Sequence, residues 1–239
     1  MSELERANIT HIYHVVPTHY LPLILRDGAL RSKDNLLQRG YTEAHFRCTS
    51  HRQDRQRGFG NVVHCTTSMH PPILSAKLSR GFPHLRFAFP INTVPAEHDI
   101  SRFNIARGRY LRSGNSPLPE SDRNGRYYDA YELPVARSDA ERRALLEAAD
   151  VNRVMLEILL HERFPLPDTT EIHCFSDWDN AQVTRVLESI RHNIAVAQHA
   201  PVNVYPEHEI FRFQVAEFIE NALADPEWKG NGLDFDRLR

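Results

Sequence analysis

Apolar residues recur along the chain in two rhythms, one of period two and one near 3.6, and together they predict a mixture of strands and helices. Ile9 to Val16 reads as a short strand. A helix follows over Thr18 to Leu30, in which Leu21, Ile24 and Leu25 share a face and Gly28 supplies the stop. Asn61 to Thr67 and His84 to Ile91 read as strands, the second through the strict alternation Leu85-Arg86-Phe87-Ala88-Phe89, with a helical turn over Ile73 to Leu78 between them. A helix over Asp139 to Val151, capped by Ser138 or Asp139, precedes a strand over Val154 to Leu160. Thr170 to Phe175 is a further strand, Asp179 to Asn193 a helix led in by Asp177, Val202 to Tyr205 a last short strand, and Ile210 to Leu223 a closing helix. Two stretches break the rhythm. Asp34 to Gly60 is polar and Arg-rich and reads as a loop or a loosely packed helix, while Arg107 to Arg126 holds Gly108, Gly114, Pro117, Pro119 and Gly125 and reads as irregular. Strands and helices that mix without regular alternation predict an α+β fold. With 239 residues and no internal repeat, one domain over 1–239 is expected.

Composition narrows the class. Hydrophobic residues make up 41% and charged residues 25%, which excludes a disordered chain. No apolar run approaches the roughly 18 residues of a membrane span, and Met1 to Thr10 carries Glu3, Glu5 and Arg6 where a signal peptide needs apolar residues. A cytoplasmic protein without a membrane segment is expected. Cys48, Cys65 and Cys174 are too scattered for a disulfide framework and read as reduced thiols.

The net charge of -2 advertises no global affinity for nucleic acid, but its distribution is uneven. Lys occurs only at 33, 77 and 229, so positive charge is almost all Arg, the side chain suited to bidentate phosphate contact. Arg47 to Arg57 holds four Arg against Asp54, a local +3, and Arg102 to Arg126 holds six Arg against Glu120 and Asp122, a local +4. Beyond Tyr205 eight acids face four bases.

Glu157 is the first chemical anomaly. In Val154-Met155-Leu156-Glu157-Ile158-Leu159-Leu160, period two puts it on one side with Met155 and Leu159 and leaves Leu156, Ile158 and Leu160 on the other. A carboxylate so placed needs a partner or a chemical role. The pattern leaves two readings open, a partly wetted face and a functional acid. His14 sits in Ile12-Tyr13-His14-Val15-Val16 just before the first helix, where strand-end side chains reach a cleft or settle in the core. The pairs Cys48/His51 and His64/Cys65 lack the spacing of a zinc site, so no metal is expected. Neither a Gly-x-Gly-x-x-Gly fingerprint, a Walker loop nor a Gly-x-Ser-x-Gly elbow is present.

Taken together, these positions resemble a known family. His11-Ile12-Tyr13-His14 followed by Leu21, Ile24, Leu25, Gly28 and Leu30 is similar to the opening of the DarT family, bacterial ADP-ribosyltransferase toxins that modify DNA bases, where a Tyr-His-Ile-Thr segment leads into a helix. Glu157-Ile158-Leu159-Leu160, then Arg163-Phe164-Pro165-Leu166 and Glu171-Ile172, resembles its second signature, an Ala-Glu-Phe/Val-Leu-Val strand, a Pro-led turn and another strand. Val202 to Phe211 resembles its tail. The resemblance covers most of the chain and is that of a divergent member. The family's Tyr-Phe-x-x-Arg-Ser-Pro-Met segment stands here as Thr66-Thr67-Ser68-Met69-His70-Pro71-Pro72-Ile73, its Thr after the His is Val16, and the Asn of its helix is Tyr20. Thr66-Thr67-Ser68 is instead similar to the Ser-Thr-Ser strand of other ADP-ribosyltransferases.

The resemblance implies an ADP-ribosyltransferase-type fold, two packed β-sheets with surrounding helices and a cleft for NAD, which is a substrate. Cleaving the nicotinamide glycosidic bond develops an oxocarbenium ion on the ribose, and a carboxylate there stabilises the cation or takes a proton from the acceptor. The resemblance gives that role to Glu157, the pyrophosphate to an Arg of the 47–57 stretch, for which Arg52 and Arg55 are chosen, and the nicotinamide or ribose edge to His14. Thr66 and Ser68 would brace the NAD pocket. The implied acceptor is a base of single-stranded DNA, or of RNA, held by a basic and aromatic platform for which Arg107, Arg109, Tyr110 and Arg112 have the composition. An antitoxin protein is the implied partner. Transfer to protein, plain NAD hydrolysis, and a non-catalytic nucleic-acid-binding module are the alternatives.

Overall fold

One residue pair, Tyr13 and Thr66, ties together the two halves of the main sheet in the computed structural model, which describes residues 2–42, 54–55, 58–101, 135–148, 156–199 and 209–230. The first half orders β10 (Ala195–Gln198), β9 (Glu171–Cys174), β4 (His84–Pro90) and β1 (His11–Pro17). The second orders β3 (Val62–Thr66), β7 (Glu157–His161), β5 (His98–Ser101) and β6 (Val135–Ala136). Neighbours run antiparallel except β10 and β9. Within each half, or leaf, the ladders are continuous, and among the described residues β1 and β3 join the leaves through that one pair, the hinge, so where two packed sheets are expected the structure has one eight-stranded sheet with a narrow junction. A small antiparallel ribbon of β2 (Ala29–Arg31) and β8 (Arg163–Pro165) lies beside them.

Period two sorts each strand into a core side and a polar side. Ile12, Val63, Cys65, Leu85, Phe87, Phe89, Ile100, Ile158, Leu160, Ile172 and Cys174 form one buried cluster. Helices close it: α2 (Leu21–Asp27) with Leu21 and Leu25, α6 (Asp177–Ile190) with Val183, Val186 and Leu187, and α7 (Glu209–Ala224) with Phe211, Val215 and Ile219. On the other side, α4 (Pro72–Leu78) lays Leu74 and Leu78 on Phe175 and Val15. The remaining helices are α1 (Glu3–Arg6), α3 (Lys33–Gln38) and α5 (Asp139–Ala148).

The expected helix over Thr18 to Leu30 is shorter in fact. A 3-10 turn covers Thr18–Tyr20, α2 ends at Asp27, and Gly28 takes the left-handed conformation with φ 61°. That turn sends Leu30 back as a strand against Phe164, so the residue that fits the helical period is buried through β2 instead. The expected Asp139 helix is capped by Ser138, whose hydroxyl accepts the Glu141 N–H while the Glu141 carboxylate accepts the Ser138 N–H. Ser176, not Asp177, caps α6. Strands β5, β8 and β10 have no counterpart in the apolar periodicity: β5 is short and polar, β8 is broken by Pro165, and β10 is short and half-exposed at the sheet edge. The Val202 to Tyr205 strand lies outside the described residues. Among the described residues, no helix is long and apolar enough to cross a membrane.

Candidate active site

The register lines up one residue from every strand in a row that crosses the hinge. From one edge it reads Ala195, Glu171, Ala88, Tyr13, Thr66, Glu157, Ser101, Val135. Opposed residues in adjacent strands share a face. The Glu157 carboxylate therefore belongs to the polar side, beside Thr66 and away from Ile158 and Cys65.

Local bonds fix where Glu157 starts its strand. The Thr67 N–H donates to the Leu156 carbonyl at 3.1 Å, and the Leu156 N–H donates to Thr67 Oγ1 at 3.2 Å. Thr66 Oγ1 accepts the Ser68 N–H at 3.1 Å, which curls the chain after β3. Of the Thr66-Thr67-Ser68 triplet, then, the middle hydroxyl holds the acid strand and the first holds the third residue. Glu157 itself is 7% exposed. A carboxylate so buried demands a compensating charge or donors. His64 supplies one, with Nδ1 3.6 Å from Glu157 Oε1 and Nε2 3.3 Å from the Phe59 carbonyl. Burial pulls the His64 imidazole down, but the hydrogen bond and charge of Glu157 outweigh it and leave it above its ordinary value.

His14 joins the same chain of interactions from β1. Its Nδ1 donates to the His64 carbonyl at 2.8 Å, in the position that a ladder N–H would fill had β1 and β3 stayed paired. Burial pushes His14 down to about 4, so the ring is neutral at pH 7 and presents a bare Nε2 acceptor. Two imidazoles linked through one backbone carbonyl are thus shifted in opposite directions.

A polar cluster from α3 borders these residues. Lys33 Nζ donates to Asp54 Oδ2 at 2.9 Å, and the Lys33 charge presses down on both His14 and His64. Arg55 follows Asp54 in the chain, and its Nε lies 3.4 Å from Asp34 Oδ1, also on α3. Arg52, Arg107, Arg109, Tyr110 and Arg112 lie outside the described residues. On the other leaf Arg86 is 0% exposed, donating Nε to His173 Nδ1 at 3.1 Å and Nη1 to the Met69 carbonyl, with its guanidinium 5.1 Å from the Tyr13 ring centroid. Arg86 therefore anchors the far end of the segment that begins at Thr66. Among the described residues the thiols are Cys65 and Cys174; both are buried, and burial pushes Cys65 up and Cys174 up to about 12, away from nucleophilic thiolate.

Of the residues singled out in the sequence, Glu157, Thr66 and Ser68 come together directly, His14 reaches Glu157 through His64, and Arg55 sits with Asp34. His64, Lys33 and Arg86 take their places here from the structure, and Thr67, named in the sequence only as the middle of the triplet, proves to hold the acid strand. Period two puts His64 on the side of Thr66 but names no partner for it.

Against known proteins, no family model and no curated protein matches the chain. Solved structures do. DarT from Thermus sp. 2.9 in complex with ADP-ribosylated single-stranded DNA superposes with a TM-score of 0.54 at 16% identity, covering 80% of this chain and 95% of that one. The same DarT in complex with NAD+ gives a TM-score of 0.51 at 16% identity, over 80% of this chain and 96% of that one. The fold is the DarT fold. It is α+β, of the ADP-ribosyltransferase type that the sequence resemblance implied.

Proposed function

We propose that the chain is an NAD-dependent mono-ADP-ribosyltransferase that modifies a nucleic-acid base in single-stranded DNA. The observation that carries this reading is the placement of Glu157, a buried acid opposite the hydroxyl strand at the one described pair joining the two leaves of a DarT fold. The DarT structures that share the fold hold NAD+ in one case and ADP-ribosylated single-stranded DNA in the other, which supports NAD as the substrate and DNA as the acceptor.

In this reading the bond between nicotinamide and C1′ of the ribose breaks, nicotinamide departs with the bonding electrons, and a nitrogen of the base forms the new bond to C1′. Glu157 stabilises the positive charge that develops on the ribose and accepts the proton the base gives up. Neutral His14 offers Nε2 to the nicotinamide or ribose edge. Thr66 and Ser68 brace the pocket wall, Arg52 and Arg55 hold the pyrophosphate, and Arg107, Arg109, Tyr110 and Arg112 form the platform for the strand. The biological role that fits is the toxin of a toxin-antitoxin pair, acting in the cytoplasm and restrained by an antitoxin protein.

Incubation with NAD labelled in its ADP-ribose, a single-stranded oligonucleotide and cell lysate tests the proposal. Label on the oligonucleotide supports it. Label on protein alone, or free ADP-ribose alone, replaces the acceptor with protein or water. No NAD turnover leaves a nucleic-acid-binding module.

A further inference from the structure

His64 is flanked on both ring nitrogens by groups that only accept. Nε2 faces the Phe59 carbonyl at 3.3 Å, and Nδ1 faces Glu157 Oε1 at 3.6 Å. A neutral imidazole has one N–H, and either tautomer would turn a lone pair toward one of these oxygens; only the imidazolium turns an N–H toward each, bonding the Phe59 carbonyl and pairing its charge with Glu157. His14 is the contrast, since its Nδ1 meets a single carbonyl and its ring is held neutral.

We propose that His64 is the positioning residue of Glu157, an imidazolium that clamps one carboxylate oxygen and so fixes the orientation of the acid. The inference rests on the ADP-ribosyltransferase reading for what Glu157 does, though not for the existence of the pair. Several charged groups face the imidazole. Glu157 on β7 and Asp54 favour the proton, while Lys33 on α3 opposes it; neutral His14 on β1 takes the His64 carbonyl. The carboxylates prevail, and His64 titrates above its ordinary value. The clamp is therefore intact below that raised midpoint and released as pH rises through it, because the neutral ring keeps one donor for two acceptors.

Two measurements test the pair. In the first, the histidine rings are followed by NMR titration in the wild type and in Glu157→Gln, with His64→Gln used to assign the signal. The wild-type His64 midpoint is expected above about 6.5, with both ring nitrogens protonated at pH 6, and the midpoint in Glu157→Gln is expected at least one pH unit lower. Equal midpoints would overturn the clamp, whether or not the protein turns over NAD. In the second, kcat for NAD turnover is measured against pH. It should fall on the alkaline side at the midpoint read by NMR, and His64→Gln should lose that limb, lower kcat about tenfold and leave KM for NAD nearly unchanged. An unaltered profile in His64→Gln overturns the positioning role. A wild type that never consumes NAD overturns the enzymatic reading instead, and the titration alone then decides whether the pair exists.

Discussion

Thr66 and Glu157 stand directly opposite each other in the β3–β7 ladder, one pair away from the Tyr13–Thr66 hinge. This register puts the acid beside the hydroxyl strand where the two leaves part. A slip of one residue between β3 and β7 would turn Glu157 into the apolar cluster around Cys65 and Ile158. In the proposed function, the devices that lock the register therefore also place the acid.

Thr67 is the first of these. Thr67→Val keeps the shape of the side chain but leaves the Leu156 N–H without its side-chain acceptor. A decrease of about 1 kcal/mol in stability is expected, with a larger fall in transfer than in NAD affinity. Thr67→Ser should restore both. Urea unfolding and a labelled-NAD assay check this, and a valine variant with full activity would remove Thr67 from the site.

Arg86 is the second. Arg86→Met removes a buried guanidinium, strands the Met69 carbonyl and leaves His173 Nδ1 only its bond with His199 Nε2. Stability should drop by about 3 kcal/mol in denaturant unfolding, whereas a change below about 1 kcal/mol would contradict the anchoring of the Thr66–Met69 segment.

How much of this is legible in the sequence follows from what each signal needs. The strands of the central sheet are readable because β4 and β7 carry apolar residues at period two. Glu157 stands out because a carboxylate interrupts it. β10 escapes because Ala195–Gln198 is half-exposed at an edge, and β5 because His98, Asp99 and Ser101 are polar in sequence yet buried by neighbouring strands. His64 is readable only as half of a metal pair with Cys65, since nothing in one strand reveals which strand lies opposite; the ladder with β7 supplies Glu157 as its partner. The DarT resemblance implies the fold itself where periodicity alone reaches only its class.

Acid sensitivity should have a definite sign. His84 is buried, its Nδ1 donating to the Phe82 carbonyl at 3.0 Å, and burial pushes it down to about 4. The unfolded chain binds this proton below about pH 6.5 and the folded chain refuses it until about pH 4. Folding stability is thus full above pH 6.5 and falls through that window, by up to roughly 3 kcal/mol for this one group. His84→Gln should flatten the fall, as measured by unfolding at pH 7 and pH 4.5; identical slopes in both proteins would refute it.

If Arg107, Arg109 and Arg112 form the proposed acceptor platform, their loss should spare the NAD site. Replacing Arg107, Arg109 and Arg112 with Gln should weaken binding of a single-stranded oligonucleotide and reduce the salt slope by roughly 0.7 for each phosphate no longer neutralised. NAD hydrolysis without DNA should survive. If both activities fell together, these arginines would belong to the NAD pocket.

The most direct test of the account is transfer of labelled ADP-ribose from NAD to a single-stranded oligonucleotide by the wild type and by Glu157→Gln. The amide keeps the shape of the side chain but carries no negative charge and takes no proton, so transfer should fall roughly a hundredfold or more while NAD affinity changes little. A Glu157→Gln protein that labels the oligonucleotide as fast as the wild type would contradict it.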